Sequence, residues 1–238
     1  MALEITNISK SFDGLRVLDN ITFKVEKNSF TCIIGESGCG KTTLLRIVSG
    51  LERADAGKVL FNGRKVEVND VGFVFQDDRL LPWRTTLKNV AFGLEVRNDK
   101  KALEKAREVL KIVGLEGFEN YYPKQLSGGM RQRVGIARAL AINPKILLMD
   151  EPFAALDAQT RNRMQAELLE IWNKERKTVL FVTHNIDEAV YLADKIIVLS
   201  KRPARVVEEI EVELERPRDR TSLEFVGIRK RILELLSD

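Results

Sequence analysis

The sequence predicts an α/β fold with a parallel sheet, an N-terminal antiparallel β subdomain and an inserted helical subdomain. Strand patterns dominate the first third of the chain, helical patterns occupy the middle, and strands alternate with helices after Pro144. Alternation of this kind places helices on the faces of a parallel sheet. The 238 residues suit one domain. Within it we expect about residues 1–85 and 145–238 to form the core and about 86–144 to form the helical insertion.

The first third contains five predicted strands. Residues 21–25 alternate apolar and polar side chains, and residues 29–34 form a more continuous apolar run that ends at Gly35. Residues 59–61 precede Asn62-Gly63, a strong hairpin signal, and alternation then resumes at 66–68. Residues 71–75 are the next candidate strand.

The middle of the chain predicts two helices. Residues 99–113 repeat apolar side chains at helical spacing and end at Gly114, and a second helix runs from about Ser127 to Ala141. Residues 77–94 show little helical register but contain Leu80-Leu81-Pro82-Trp83. We interpret them as an exposed apolar contact surface, with packing on the helical subdomain as the alternative.

After Pro144 the chain alternates between strands and helices. Strands are predicted at 145–149, 178–183 and 195–199, and helices at 160–172 and 186–193. The tail adds an alternating strand at 210–214, a basic turn at 216–218 and a helix opened by a capping box of Thr221 and Glu224. We expect this tail to serve packing and solubility.

Composition excludes several classes of protein. Apolar residues make up 44% and charged residues 31%, as in globular chains, and no stretch longer than nine residues lacks a charge. A membrane-spanning helix needs about 20 apolar residues. No secretory signal is visible, so a cytosolic location is expected. The net charge of +4 favours a mixed surface over a nucleic-acid-binding one, and a single histidine excludes a multi-histidine metal site.

Residues 35–42 read Gly-Glu-Ser-Gly-Cys-Gly-Lys-Thr and fit the phosphate-binding pattern G-x-x-x-x-G-K-[ST]. The pattern lies between a predicted strand and a predicted helix, which is the context that it requires. Glycines let backbone N–H groups surround phosphate oxygens, and the helix N-terminus adds positive potential. Lys41 is expected to reach the β- and γ-phosphates and Thr42 to offer its hydroxyl to Mg²⁺. Cys39 is expected to pack, not to react.

Two carboxylates follow the apolar strand 146–149. Asp150 is positioned to hold Mg²⁺, directly or through water, and Glu151 to polarise the attacking water. His184 ends the predicted strand 178–183 and is expected at the same sheet edge, near the γ-phosphate.

A second anion-binding motif lies at residues 126–130, Leu-Ser-Gly-Gly-Met, before an arginine-rich helix. A serine hydroxyl and two glycine N–H groups at a helix start can bind phosphate. One chain therefore carries two phosphate-binding motifs.

Together these motifs resemble the ATPase subunits of ABC transporters, over nearly the whole chain. Residues 35–42 match the Walker A loop of that family, 146–151 the Walker B strand, and 126–130 the LSGGQ signature in four of five positions, with Met130 replacing Gln. The resemblance implies a P-loop NTPase (RecA-like) core that binds ATP and Mg²⁺.

The resemblance also implies roles for individual residues. The residues that it implies for catalysis are Glu151, His184 and the Q-loop residue Gln76. Asp157 is expected in the D-loop, which crosses the dimer interface. The nucleotide-binding set comprises Phe12, Gly35, Glu36, Ser37, Gly38, Cys39, Gly40, Lys41, Thr42, Thr43, Ser127, Gly128 and Gly129. The metal-binding set comprises Thr42, Gln76 and Asp150. The ring of Phe12 is expected to stack on adenine, with a core position as the alternative.

The resemblance further implies partners. Two copies are expected to form a head-to-tail dimer with ATP between them, docked on integral membrane permease subunits at the cytoplasmic face of the membrane. A solute-binding protein would act upstream, and no nucleic acid is expected. Residues 76–83 resemble the corresponding segment of the ATPase subunits of importers for nitrate, sulfonate, taurine and bicarbonate. The alternatives are an ABC-type ATPase acting on DNA or ribosomes and a non-hydrolysing nucleotide switch.

Overall fold

The computed structural model describes residues 3–237. The strands are β1 (Leu3–Phe12), β2 (Leu15–Val25), β3 (Phe30–Ile34), β4 (Ala56–Phe61), β5 (Arg64–Lys65), β6 (Val71–Val74), β7 (Ile146–Asp150), β8 (Thr178–Thr183), β9 (Lys195–Leu199) and β10 (Val206–Glu211). The α-helices are α1 (Lys41–Val48), α2 (Thr86–Val96), α3 (Ala102–Ile112), α4 (Gly128–Ala141), α5 (Ala158–Glu175), α6 (Ile186–Leu192) and α7 (Leu223–Ser237). Short 3₁₀ turns occur at Val68–Asp70 and Pro123–Gln125. The predicted α/β fold is confirmed.

The chain divides into two compact units. The first unit comprises residues 1–68 and 177–238, and the second comprises residues 69–176. The helical insertion at about 86–144 has different bounds and stays a prediction.

The first unit contains an antiparallel sheet and a group of mainly parallel strands. The antiparallel sheet has the order β2-β1-β4-β5, and β3 pairs in parallel with both β8 and β9, while β10 is antiparallel to β9. Four phenylalanines are fully buried in this unit, namely Phe23, Phe30, Phe181 and Phe225. Because β3 and β8 run in the same direction, both end at the same edge, and this edge carries the predicted phosphate loop.

The second unit contains the parallel pair β6–β7 and helices α2 to α5. Helix α4 contacts β6 closely at Gly72, where a Cβ atom would lie 2.6 Å from the carbonyl oxygen of Ala139. The C-terminal part of α4 therefore packs directly on β6.

Several elements differ from the sequence prediction. The first strand, β1, was not predicted, and the predicted strand at 66–68 is wrong, since β5 ends at residue 65 and a 3₁₀ turn begins at 68. Helix α2 begins at Thr86, inside the segment 77–94 in which little helical register was found, and it continues to Val96. The tail strand covers 206–211 instead of 210–214.

The predicted capping box before α7 is also wrong. The hydroxyl of Thr221 donates to Asp219, whereas Ser222 Oγ accepts the N–H of Phe225 at 3.2 Å. The neighbouring aspartate is the stronger acceptor for the threonine hydroxyl, so the cap moves one residue along the chain.

Candidate functional site

The loop at residues 35–43 connects β3 to α1 in the first unit. Gly38 and Gly40 have φ angles of +77° and +122°, which L-residues with side chains rarely adopt. A Cβ atom on Gly40 would lie 2.8 Å from Leu18 Cδ2 and 2.9 Å from Val17 Cγ1. Glycine is therefore required at position 40 both by the backbone conformation and by the lack of space.

Lys41 is 4% exposed and lies within this loop. Its Nζ donates hydrogen bonds to the carbonyl oxygens of Gly35 and Glu36, both at 2.8 Å. Glu36, Ser37 and Gly38 are exposed, and Thr42 and Thr43 are half-buried. The loop thus holds a buried ammonium group beside an exposed run of backbone.

Cys39 is buried in the same loop. Burial raises the pKa of its thiol, which keeps the group protonated. A protonated, buried thiol is a poor nucleophile, so the expected packing role agrees with the structure.

His184 follows β8 directly and is exposed. Ile34 at the end of β3 is in register with Thr183 at the end of β8, so His184 begins its loop beside Gly35. Thr183 Oγ1 donates to the carboxylate of Glu188 at 2.5 Å and accepts the N–H of Asn185 at 2.9 Å. These two bonds fix the backbone on which His184 lies.

Phe12 ends β1 in the first unit. Its side chain is 42% exposed, and Lys10 Nζ lies 4.9 Å from the centre of its ring. The exposed fraction excludes the alternative core position, and Lys10 forms a cation–π contact with the ring.

The acidic residues lie at a strand edge of the second unit. Val74 of β6 is in register with Met149 of β7, so Gln76 follows one strand and Asp150 ends the other. Asp150 is buried and Gln76 is exposed. Glu151 is half-buried and has a φ angle of +44°, which is uncommon for a residue other than glycine.

The predicted signature lies at the start of α4. Ser127 is the N-cap, and its Oγ accepts the N–H of Met130 at 3.3 Å. A Cβ atom on Gly128 would lie 3.6 Å from Leu156 Cδ2, and one on Gly129 would lie 3.6 Å from Thr160 Cγ2. The signature is therefore next to the segment that contains Asp157 in the second unit.

Asp157 is the N-cap of α5. Its Oδ1 accepts the N–H of Thr160 at 3.0 Å, and these hydrogen bonds from Thr160 lower the pKa of the carboxyl group. The carboxylate is thus ionised at neutral pH and satisfies the first turn of the helix.

The sequence analysis missed two arginines that tie α4 to the segment after Gln76. Arg131 Nε contacts Asp78 Oδ2 at 2.9 Å, while its Nη1 donates to the carbonyl oxygen of Leu126 at 2.8 Å. Arg138 donates to the carbonyl oxygens of Arg79 at 2.7 Å and Asp78 at 2.9 Å. The arginines of α4 are visible in the sequence, but the residues that they contact after Gln76 lie far away along the chain.

Comparison with known proteins identifies the family. The model of the family described as "ABC transporter" matches residues 18–154, which include the phosphate loop, the signature and both acidic residues. The chain belongs to the ABC transporter family. The resemblance inferred from the motifs is thereby confirmed.

Two curated relatives align with the ABC chain over nearly its full length. An uncharacterised ABC transporter ATP-binding protein of Methanocaldococcus jannaschii is 58% identical, with 99% of this chain and 91% of the relative covered. The aliphatic sulfonates import ATP-binding protein of Bacillus cereus is 45% identical, with 98% and 95% covered.

A solved ABC structure also matches. It is a dimeric ATP-binding cassette in a post-hydrolysis state, bound to ADP and Pi, with 33% identity and a TM-score of 0.77. The alignment covers 90% of this chain and 100% of that one. The P-loop NTPase core is therefore confirmed, and the family activity is that of an ATPase.

Among residues 3–237, no helix combines the length and the apolar character that crossing a membrane requires.

Proposed function

We propose that this chain is the ATP-hydrolysing subunit of an ABC importer and drives uptake of a small solute through separate permease subunits. The observation that carries the proposal is the glycine-rich loop at 35–43 with its buried Lys41, in a chain that belongs to the ABC family. The 45% identity to a sulfonate import subunit favours import over action on DNA or ribosomes.

The proposed ATP site begins with the 35–43 loop and Phe12. Backbone N–H groups of the loop bind the phosphates, and Lys41 neutralises them from a position where little water screens its charge. The exposed ring of Phe12 stacks on adenine.

Mg²⁺ is proposed to accompany ATP. The residue types suit this ion. Thr42 of the first unit offers a hydroxyl, and in the second unit Gln76 offers an amide oxygen and Asp150 a buried carboxylate, all hard oxygen ligands. When bound, the ion would supply positive charge that offsets the negative charge of the phosphates. Asp150 holds the ion directly or through water.

For the chemical step we assign Glu151 as the group that polarises the attacking water and His184 as a contact to the γ-phosphate. Glu151 is half-buried, so its carboxylate is accessible to water while Asp150 remains in the protein interior. His184 is exposed beside the start of the phosphate loop, as this role requires.

The complete site is proposed to need two copies. Ser127, Gly128 and Gly129 of one copy would contact the γ-phosphate of the nucleotide held by the other copy, with Asp157 at the interface. The exposed position of Ser127 and the dimeric ADP-bound cassette in the same family support this arrangement. ATP then holds the copies together, and hydrolysis releases them.

The permease contact is proposed at Trp83 together with the exposed side of α2, whereas Leu80 of the expected contact surface is buried and is not part of it. Trp83 is 72% exposed, and Phe92 in α2 is also exposed. Exposed aromatic side chains of this kind mark protein interaction surfaces. The cytoplasmic face of the membrane, a solute-binding protein upstream and a sulfonate, nitrate, taurine or bicarbonate cargo complete the proposal.

The substitution Glu151→Gln tests the catalytic assignment. We expect ATP turnover to fall at least about a hundredfold with ADP binding retained, because the amide cannot accept a proton from water. Glu170→Gln, an exposed glutamate in α5, is the matched control. Unchanged turnover in Glu151→Gln would reject the assignment, and negligible turnover by the wild-type chain would favour the nucleotide switch.

A further inference from the structure

Residues 200–205 form a tight hairpin between β9 and β10 in the first unit. The N–H of Ser200 donates to the carbonyl oxygen of Arg205 at 3.0 Å, and the N–H of Arg205 donates to Ser200 Oγ at 3.0 Å. This pair of bonds closes the hairpin, so its tip at Lys201 and Arg202 has a defined position.

The hairpin is anchored on β2. The N–H of Ala204 donates to Val17 O, and the N–H of Asp19 donates to Ala204 O, both at 2.9 Å. Ala204 is fully buried, and Arg205 Nε contacts the carboxylate of Asp19 at 2.7 Å. Val17 also packs against Gly40 of the phosphate loop, so strand β2 contacts both the loop and the hairpin.

From the tip, the guanidinium of Arg202 reaches the phosphate loop. Its Nε donates to the carbonyl oxygen of Gly38 at 3.1 Å, and its Nη2 donates to the same oxygen. Gly38 is in a left-handed conformation with φ +77°. A second contact joins Lys201 Nζ to the carboxylate of Glu36 at 3.8 Å. Two of the exposed residues of the loop are thus tied to the hairpin.

The direction of the Gly38 carbonyl matters for phosphate binding. A loop that surrounds phosphate with N–H groups must keep its carbonyl oxygens outside, since an inward carbonyl presents partial negative charge to the anion. Two donors from one cation fix the direction of this oxygen toward Arg202.

We propose that Arg202 is a positioning residue for the nucleotide, which holds the Gly38 carbonyl outward and thereby maintains the phosphate-binding conformation of residues 35–43. This inference rests on the proposed binding of ATP by that loop. Arg202 acts through Gly38, and the reacting atoms are not among its contacts.

If Arg202 acted only through its positive charge, its replacement by lysine would leave nucleotide binding unchanged, whereas a positioning role requires arginine. Lysine at position 202 keeps the positive charge near the phosphates but lacks the planar pair of N–H donors that meets a single oxygen. The substitution Arg202→Lys therefore separates the two explanations.

The experiment compares the wild-type chain with Arg202→Lys, Arg202→Ala and Arg53→Ala. Arg53 is an exposed arginine of the same unit outside the loop and the hairpin. Calorimetric titration with ADP gives the dissociation constant, and steady-state ATP hydrolysis gives KM and kcat. We expect both Arg202 variants to raise the ADP dissociation constant and the KM roughly two- to fivefold, with kcat changed by less than about twofold. Arg53→Ala should match the wild type.

Three outcomes would overturn the inference. If Arg202→Lys binds ADP as the wild type does while Arg202→Ala does not, charge is the explanation. If both variants bind ADP as the wild type does, Arg202 does not position the loop. If a lowered melting temperature accompanies a parallel loss of kcat, the role of Arg202 is generally structural. Absence of ADP binding by the wild-type chain would reject the proposed function together with this inference. Normal wild-type binding, abolished in Lys41→Ala, keeps the proposed function whatever the Arg202 variants do.

Discussion

The substitution Gly40→Ala tests whether the shape of the phosphate loop is set by the two residues that support it. Gly40 has φ +122°, and an added Cβ atom would lie 2.8 Å from Leu18 Cδ2 and 2.9 Å from Val17 Cγ1. Real Cβ atoms do not approach carbon atoms so closely, so either the loop or β2 must move.

The cost has two parts. Forcing alanine into a sparsely populated backbone region costs about 1–3 kcal/mol, and overpacking against two buried side chains adds about 1–3 kcal/mol. Gly50→Ala is the matched control, since Gly50 has φ +77° but open space around its Cβ position. It should therefore cost only about 1–2 kcal/mol. Both variants lose the same chain entropy of glycine in the unfolded state, so their difference isolates the crowding.

The assay is the melting temperature, combined with ADP titration. A chain of this size loses about 2–4 °C per kcal/mol, so we expect roughly 4–24 °C for Gly40→Ala and roughly 2–8 °C for Gly50→Ala. ADP binding should be lost in the first variant and kept in the second. Equal melting temperatures, or ADP binding retained by Gly40→Ala, would refute the claim that Val17 and Leu18 hold the loop in shape.

Two further predictions concern the second unit. Ser127→Ala removes the N-cap of α4 and should cost about 1 kcal/mol of stability, measured by urea unfolding. It should lower ATP turnover roughly ten- to hundredfold through the lost phosphate contact, while the affinity of a single copy for ADP stays unchanged; a matching loss of ADP affinity would contradict the two-copy site. Trp83→Glu should abolish co-purification of the chain with its permease, because a charge replaces the exposed aromatic contact. Leu223→Glu, at an exposed leucine in α7, should leave co-purification intact, and equal recovery of both variants would show that Trp83 is not at the contact.

The phosphate loop could be predicted because its determinants are local. Glycine spacing, the lysine and the flanking strand and helix all lie within residues 30–48, and short motifs of this kind carry their own geometry. Parallel pairing then brings His184 beside Gly35 without any knowledge of side-chain packing.

Helix α2 was missed because polar residues occupy its buried face. Thr86 and Asn89 are buried, whereas Phe92 and Val96 are exposed, which blurs the apolar periodicity. The amide of Asn89 donates to the carbonyl oxygens of Leu81, Arg84 and Thr85. Burying a polar side chain is favourable only when such partners exist, and the sequence does not display them.

Strand β1 was missed for a different reason. Its pairing with β2 shifts register between Ile5 and Ile8, and Asn7 has φ +52°. Each irregularity changes which face the next side chain occupies, so Leu3, Ile5 and Ile8 are all buried despite an interrupted alternation. Phe12 at the end of this strand was therefore identified only through the family resemblance.

The basic tail illustrates a buried charge that composition cannot reveal. Arg218 is 6% exposed and donates to the carbonyl oxygens of Val190, Ala193 and Val212. Burial lowers its pKa to about 10, yet the group remains charged at neutral pH. These carbonyl partners compensate for the loss of water, so the tail contributes packing, as expected.

Asp150 and Glu151 are adjacent carboxylates, and the backbone separates their environments. Asp150 ends β7 in the interior, whereas Glu151 takes a left-handed φ of +44° that costs about 1 kcal/mol for a residue with a side chain. Such a conformation persists only where surrounding structure enforces it, which makes the turn itself part of the proposed site. Glutamine has the same shape and the same backbone cost as glutamate, so Glu151→Gln leaves the turn intact and changes only the acid–base chemistry. Glu151→Gly would relax the turn and change the chemistry together, and a loss of turnover in that variant could not distinguish the carboxylate from the conformation that presents it.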